Sequence, residues 1–123
     1  MNWTTYFIVL ALLVGFIVMR RSGQVPRKKA LALIKEGGII IDVRTATEYT
    51  SRHLSQAVNI PLDEVEMLVP ERVKKKDRVL LLHCQSGMRS RTAKARLERL
   101  GYTQVYNLGS FERAFKLVSG RSL

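Results

Sequence analysis

Arg78-Val79-Leu80-Leu81-Leu82-His83-Cys84-Gln85-Ser86-Gly87-Met88-Arg89 joins an unbroken apolar run to a polar loop containing a glycine. A short continuous apolar run is the pattern of a strand covered on both faces. Beyond the loop, Ala93, Leu97 and Leu100 fall at i, i+4 and i+7, one apolar helical face, and Gly101 stops the helix. The stretch therefore reads as strand, short loop and helix, with Cys84 at the carboxyl end of the strand.

Upstream, Ile39-Ile40-Ile41-Asp42-Val43 is a second β-branched run of the buried kind. Before it, Ala30, Leu31, Leu33 and Ile34 give a helical stripe that opens at Pro26, in the first helical position, and closes at Gly37-Gly38. The spacing further predicts a short helix over 47–52, a strand over 57–60 ended by Pro61, and a helix over 62–69. A last strand over 105–108 and a closing helix over 111–118 complete the pattern. Strands alternating with helices make an α/β fold, a central, mainly parallel sheet flanked by helices. At 123 residues the chain has room for one such domain.

Cys84 is the chain's single cysteine, so no intramolecular disulfide forms, and no Cys/His set stands at metal-ligand spacing. Neither a metal nor a cofactor is expected. In open α/β sheets, ligands bind beyond the carboxyl ends of the strands, where Cys84 falls. Gly87 permits unusual backbone angles, so the loop amides can converge on one point with a helix N-terminus behind them. Arg89 and Arg91 add positive charge. These surroundings favour an anionic sulfur, and the thiolate is the nucleophile. The plain alternative is a buried apolar cysteine at a strand end. The glycine, the arginines and the following helix weigh for the nucleophile.

His83 precedes Cys84 in the strand, so its side chain points to the opposite face and makes a poor general base. Arg44 and Glu48 are spaced i,i+4, which predicts a surface ion pair contributing roughly a few tenths of a kcal/mol. Asp42 reads as a cap or hydrogen-bond anchor at its strand end, and His53 as a hydrogen-bonding loop residue.

Residues 3–19 carry no formal charge. At about 1.5 Å per residue they extend roughly 26 Å, just short of a hydrocarbon core of about 30 Å. Trp3 and Tyr6 suit one interface, and Arg20 and Arg21 the other. No Lys or Arg precedes the run and Met19-Arg20-Arg21 follows it, the reverse of a cleaved signal peptide. The expectation is a transmembrane anchor over 1–21, a linker over 22–26 and the α/β domain over 27–123. The net charge is +11, from 21 basic and 10 acidic residues. Arg20, Arg21, Arg27, Lys28 and Lys29 all follow the apolar run, which puts the domain on the cytoplasmic side of the inner (cell) membrane, single-pass and in contact with anionic lipid. The short basic runs, Lys74-Lys75-Lys76 among them, have no aromatic stacking residues beside them, so nucleic acid is not an expected partner.

Ile40-Ile41-Asp42-Val43-Arg44, Glu48-Tyr49, His53-Leu54, Ala57-Val58-Asn59-Ile60-Pro61, Cys84-x-x-Gly87-x-Arg89-Ser90 and Tyr106-Asn107-Leu108-Gly109 together resemble the single-domain rhodaneses, over about 25–118. The resemblance implies a rhodanese-like fold and a sulfurtransferase. Cys84 would take the outer sulfur of a small anionic donor such as thiosulfate and pass it, as a persulfide, to a thiol or cyanide. It implies that the amides of Gln85, Ser86, Gly87, Met88 and Arg89 hold the persulfide, with Arg89 steering the donor. A persulfide carrier or docking module with little small-molecule turnover is the alternative. Cysteine phosphatases and arsenate reductases use Cys-x5-Arg, and here Ser90 holds that arginine's place. The chain departs from the common Gly-His-Ile-Pro-Gly-Ala at Arg52-His53-Leu54-Ser55-Gln56-Ala57, and at Ser110 and Phe115.

Overall fold

A computed structural model describes residues 2–21 and 23–120, the side chains of 19–21 excepted. In chain order the elements are α1 (Trp3–Arg21), α2 (Arg27–Lys35), β1 (Ile39–Asp42), α3 (Ala46–Ser51) and β2 (Ala57–Asn59). A 3-10 turn (Leu62–Glu64), α4 (Val65–Arg72), β3 (Leu80–His83), α5 (Met88–Arg99), β4 (Val105–Gly109) and α6 (Phe111–Ser119) follow. The strands form a parallel sheet in the order β2-β1-β3-β4.

The two runs read as buried strands are the central ones, paired from Ile39 opposite Leu80 to Asp42 opposite His83. Ile41, Val43, Leu80, Leu82 and Cys84 face one way and pack on Val65, Val69, Ala93 and Leu97, from α4 and α5. Ile40 and Leu81 face the other way and pack on Ala30, Phe111, Ala114 and Leu117, from α2 and α6. Each fully buried Leu or Ile contributes about 1.5–3 kcal/mol of transfer free energy, which is why both strands are apolar on every residue up to Asp42 and His83.

From β1 the chain continues to β2 on one side, while β3 leads to β4 on the other. The loops leaving β1 and β3 therefore part at the sheet's carboxyl edge and leave a crevice, the usual ligand position in such sheets. Between β3 and β4 the register slips, from Leu82 opposite Asn107 to His83 opposite Gly109. This bulge brings the Gly109 carbonyl to the Cys84 N–H, at 3.2 Å.

Four expectations about the elements differ from the structure. The segment 62–69 is not one helix: it divides into the 3-10 turn and α4, which runs to Arg72 with Pro70 inside it. Pro26 caps α2 instead of opening it. Gln24 and Val25 are not a free linker, because Gln24 bridges Asn107 and Val25 is buried; Ser22, also assigned to the linker, lies outside the described residues. The transmembrane anchor expected over 1–21 is not supported. α1 does form, its start capped by Asn2, whose Oδ1 accepts from Thr5 N–H at 3.2 Å. Yet among the described residues no helix is long and apolar enough to cross a membrane. The interfacial places expected for Arg20 and Arg21 concern side chains outside the described residues.

Candidate functional site

β3 delivers Cys84 to the crevice, with no exposed surface. Gly87 N–H donates to Cys84 Sγ at 2.9 Å, and Ser90 Oγ stands 3.5 Å from it. Gly87 adopts φ 97° as it caps the twelve-residue α5, so the amide turns back onto the sulfur while the helix N-terminus lies behind. The positive end of α5 and a directed N–H both stabilise negative charge at that sulfur. Asn107, within β4, holds the loop from the side. Its Nδ2 donates to Gly87 O at 3.2 Å, and its Oδ1 accepts from Ser90 Oγ at 2.7 Å and Gly109 N–H at 2.9 Å. Gln85 and Ser86 are tied to the start of α6 through Phe111 N–H to Gln85 O, 3.3 Å, and a bridge between Ser86 and Ser110. Met88 and Arg89 form the first turn of α5, where amides have no intrahelical partner.

The expected Arg44–Glu48 pair is not made. Thr45 caps α3 in a reciprocal box with Glu48, so Arg44 lies outside the helix and the i,i+4 geometry does not apply to it. Arg44 instead folds back on Asp42, with Nε at 3.0 Å from Oδ1 and Nη2 at 2.7 Å from Oδ2, while Nη2 also donates to Arg52 O at 2.7 Å. Its guanidinium lies 4.7 Å from the Phe111 ring centroid. Glu48 takes Arg89 at 2.6 and 3.0 Å. That hydrogen-bonded guanidinium, opposed by partial burial and helped by Thr45, lowers the Glu48 carboxyl from 4.5 to about 2. The same carboxylate raises Arg89 further.

His83 does face away from Cys84, edge-on to Phe111 at 5.9 Å. It is wholly buried; Nδ1 lies 3.2 Å from Cys84 O, and Nε2, without a hydrogen-bond partner, is 3.6 Å from Asp42 Oδ2. Burial lowers its pKa, against the attraction of Asp42. His53 bonds Tyr49 O through Nδ1 at 2.7 Å, the loop role expected of it. Among the described residues no three His, Cys, Asp or Glu side chains gather to hold a metal.

Beside the cysteine loop opens a cleft of about 290 Å³, lined among others by Arg44, Glu48, Arg52, Gln85 and Phe111. Arg52 stacks 4.8 Å from the Phe111 centroid, on the same ring as Arg44. Sequence reasoning gave no role to Arg52, Phe111 or Asn107. Asn107 stood within the quoted Tyr106-Asn107-Leu108-Gly109, and a polar side chain inside an otherwise apolar strand was the available signal.

A parallel sheet with a cysteine at the end of an inner strand, its sulfur capped by an αL glycine, defines the class. The chain belongs to the rhodanese-like domain family, whose model matches residues 27–114. Among curated proteins it is similar to the thiosulfate sulfurtransferase PspE of Escherichia coli, 38% identical over 72 residues, 58% of this chain and 69% of that one. Among solved structures it is similar to a rhodanese with anions from E. coli, at 35% identity and TM-score 0.60, covering 63% of this chain and 91% of the other. A human single-domain sulfurtransferase superposes with TM-score 0.66 at 25% identity, covering 77% and 96%.

Proposed function

We propose that this protein is a sulfurtransferase that moves a sulfane sulfur from an anionic donor such as thiosulfate to a thiol or cyanide through a persulfide on Cys84. The Gly87 N–H held 2.9 Å from Cys84 Sγ carries the reading, because it lies where an anionic sulfur has to be stabilised. The relatives named thiosulfate sulfurtransferase support it. The Cys84 thiolate attacks the outer sulfur of thiosulfate; a new S–S bond forms, and sulfite leaves with the electron pair of the old one. The acceptor thiolate or cyanide then attacks the terminal sulfur and returns the Cys84 thiolate. The amides of Gln85, Ser86, Gly87, Met88 and Arg89 hold the persulfide, and Arg89, oriented by Glu48, lends positive charge to the approach of the donor. Intact-mass analysis after thiosulfate exposure tests this. One added sulfur is expected, removable by cyanide and absent in Cys84→Ser; sulfur transfer persisting in that variant overturns it.

The complete burial of Cys84 favours a second reading, a persulfide carrier that shelters its sulfur for a partner. A stable added sulfur with negligible turnover of thiosulfate and cyanide distinguishes the carrier from the enzyme.

The same proposal extends to location: α1 holds the domain at the cytoplasmic face of the cell membrane by lipid contact. Tyr6, Phe7, Ile8, Val9 and Leu10 are successive exposed apolar side chains, and Arg27, Lys28 and Lys29 follow the helix. The full chain should float with anionic vesicles and a Leu10→Lys variant should float less; equal recovery of both refutes the lipid contact.

A further inference from the structure

Gln24 lies between α1 and α2 with its backbone bridged to Asn107, and Val25 N–H donates to Asn107 O at 2.9 Å. Arg113 fixes this arrangement by donating from Nη1 to Leu108 O at 2.7 Å and from Nη2 to Val25 O. The Gln24 side chain, partly buried, then covers two glycines at once. A Cβ added to Gly109 would lie 2.7 Å from Gln24 Nε2 and 3.0 Å from its Cδ; one added to Gly87 would lie 3.5 Å from Nε2. These glycines carry the two peptide groups that hold the cysteine, since Gly109 O receives Cys84 N–H and Gly87 N–H donates to Cys84 Sγ.

We propose that Gln24 is a positioning residue for sulfur transfer, pressing on Gly87 and Gly109 so that the Gly87 amide stays aimed at the Cys84 sulfur. The inference rests on the persulfide reading above. Gly87 and Gly109 have φ of 97° and 93°, and no side chain of their own anchors them. Glycine is the residue with the most conformational freedom to lose, so such a pair keeps its geometry only under outside restraint. The Asn107 side chain restrains it on one side through Gly87 O and Gly109 N–H. Gln24 closes another. The restraint matters when the sulfur changes from thiolate to persulfide, because the charge moves outward by one bond while the donor has to remain aligned.

The test compares the full chain with Gln24→Ala and Gln24→Met, measuring sulfur uptake from thiosulfate, hydrogen exchange at the Gly87 amide, and the thermal midpoint. Gln24→Ala should lower kcat about tenfold with KM nearly unchanged, because a small misplacement of a catalytic donor acts on the transition state. It should also speed exchange of the Gly87 amide. Gln24→Met, which fills the same volume, should restore both. Native kcat or native Gly87 exchange in Gln24→Ala overturns the inference, as does a Met variant that regains stability without kcat. A native chain that takes up no sulfur overturns the persulfide reading, and this role for Gln24 with it.

Discussion

Arg89 places both terminal nitrogens on the Glu48 carboxylate, at 2.6 and 3.0 Å, and so ties the first turn of α5 to α3. The bond holds Glu48 ionised far into acid, its carboxyl lowered from 4.5 to about 2 chiefly by Arg89. A depressed carboxyl stabilises the fold fully above its unfolded value, and loses that contribution as pH falls through the folded value. The stability difference between the native chain and Glu48→Gln should therefore be constant above 4.5, shrink below it, and vanish near pH 2. Urea unfolding at several pH values measures it. A difference that does not vary with pH removes the ion pair as its source. Both side chains are about one-third exposed, so solvent screening keeps the contribution small.

His83 titrates with the same sign for a different cause. Burial lowers it below 6.5; Asp42 favours its charged form, and Arg44 disfavours it. The unfolded chain takes up a proton at 6.5 that the folded chain refuses, so the contribution of neutral His83 is complete above 6.5 and falls as pH drops below it. The expected slope is at most about 1.4 kcal/mol per pH unit. His83→Asn should lack this slope on the acid side of 6.5. Unfolding curves with equal pH slopes for both proteins would refute a neutral buried imidazole.

Gly87 and Gly101 separate backbone strain from site geometry. Both have positive φ, 97° and 96°, but a Cβ on Gly87 meets Gly109 Cα at 3.3 Å while one on Gly101 meets nothing within 4 Å. Each Ala variant should lose about 1–2 kcal/mol from the left-handed backbone alone. Only Gly87→Ala should also lose sulfur uptake, by about a hundredfold, because the amide on Cys84 Sγ moves with the loop. Equal uptake by the two variants, at matched folded fraction, would contradict the role of that amide.

Much of this was legible in the sequence where burial acts on every residue. Ile39-Ile40-Ile41 and Leu80-Leu81-Leu82 are covered on both faces, so no alternation competes with the strand reading, and Cys84 at the end of the second run marked the candidate site. Legibility failed where spacing was read without knowing the local backbone. Arg44 and Glu48 are four apart, but the helix begins after Thr45, so the arginine turned to Asp42 instead. Gln24 and Asn107 meet across the fold, and no local pattern announces such a contact. The apolar opening segment did become a helix, although among the described residues no helix is long and apolar enough to cross a membrane.

Asp42 and Arg44 form the last relationship with a measurable consequence. Their side chains are 0% and 5% exposed, and Nε, Nη2 and the Arg44 backbone N–H all donate to the one carboxylate. Taking both charges out of water costs several kcal/mol per ion, which the mutual attraction offsets only while both are present. Arg44→Met leaves the buried Asp42 carboxyl without its guanidinium partner, and should cost about 3–5 kcal/mol. Asp42→Leu should cost a similar amount by stranding the guanidinium. The double variant removes both charges together, so its loss should be smaller than either single loss. Equilibrium unfolding of the four proteins at neutral pH completes the cycle. Additive losses would show that the two residues act independently, and that the Arg52 carbonyl and the Phe111 ring, not Asp42, are what hold Arg44 beside the cysteine loop.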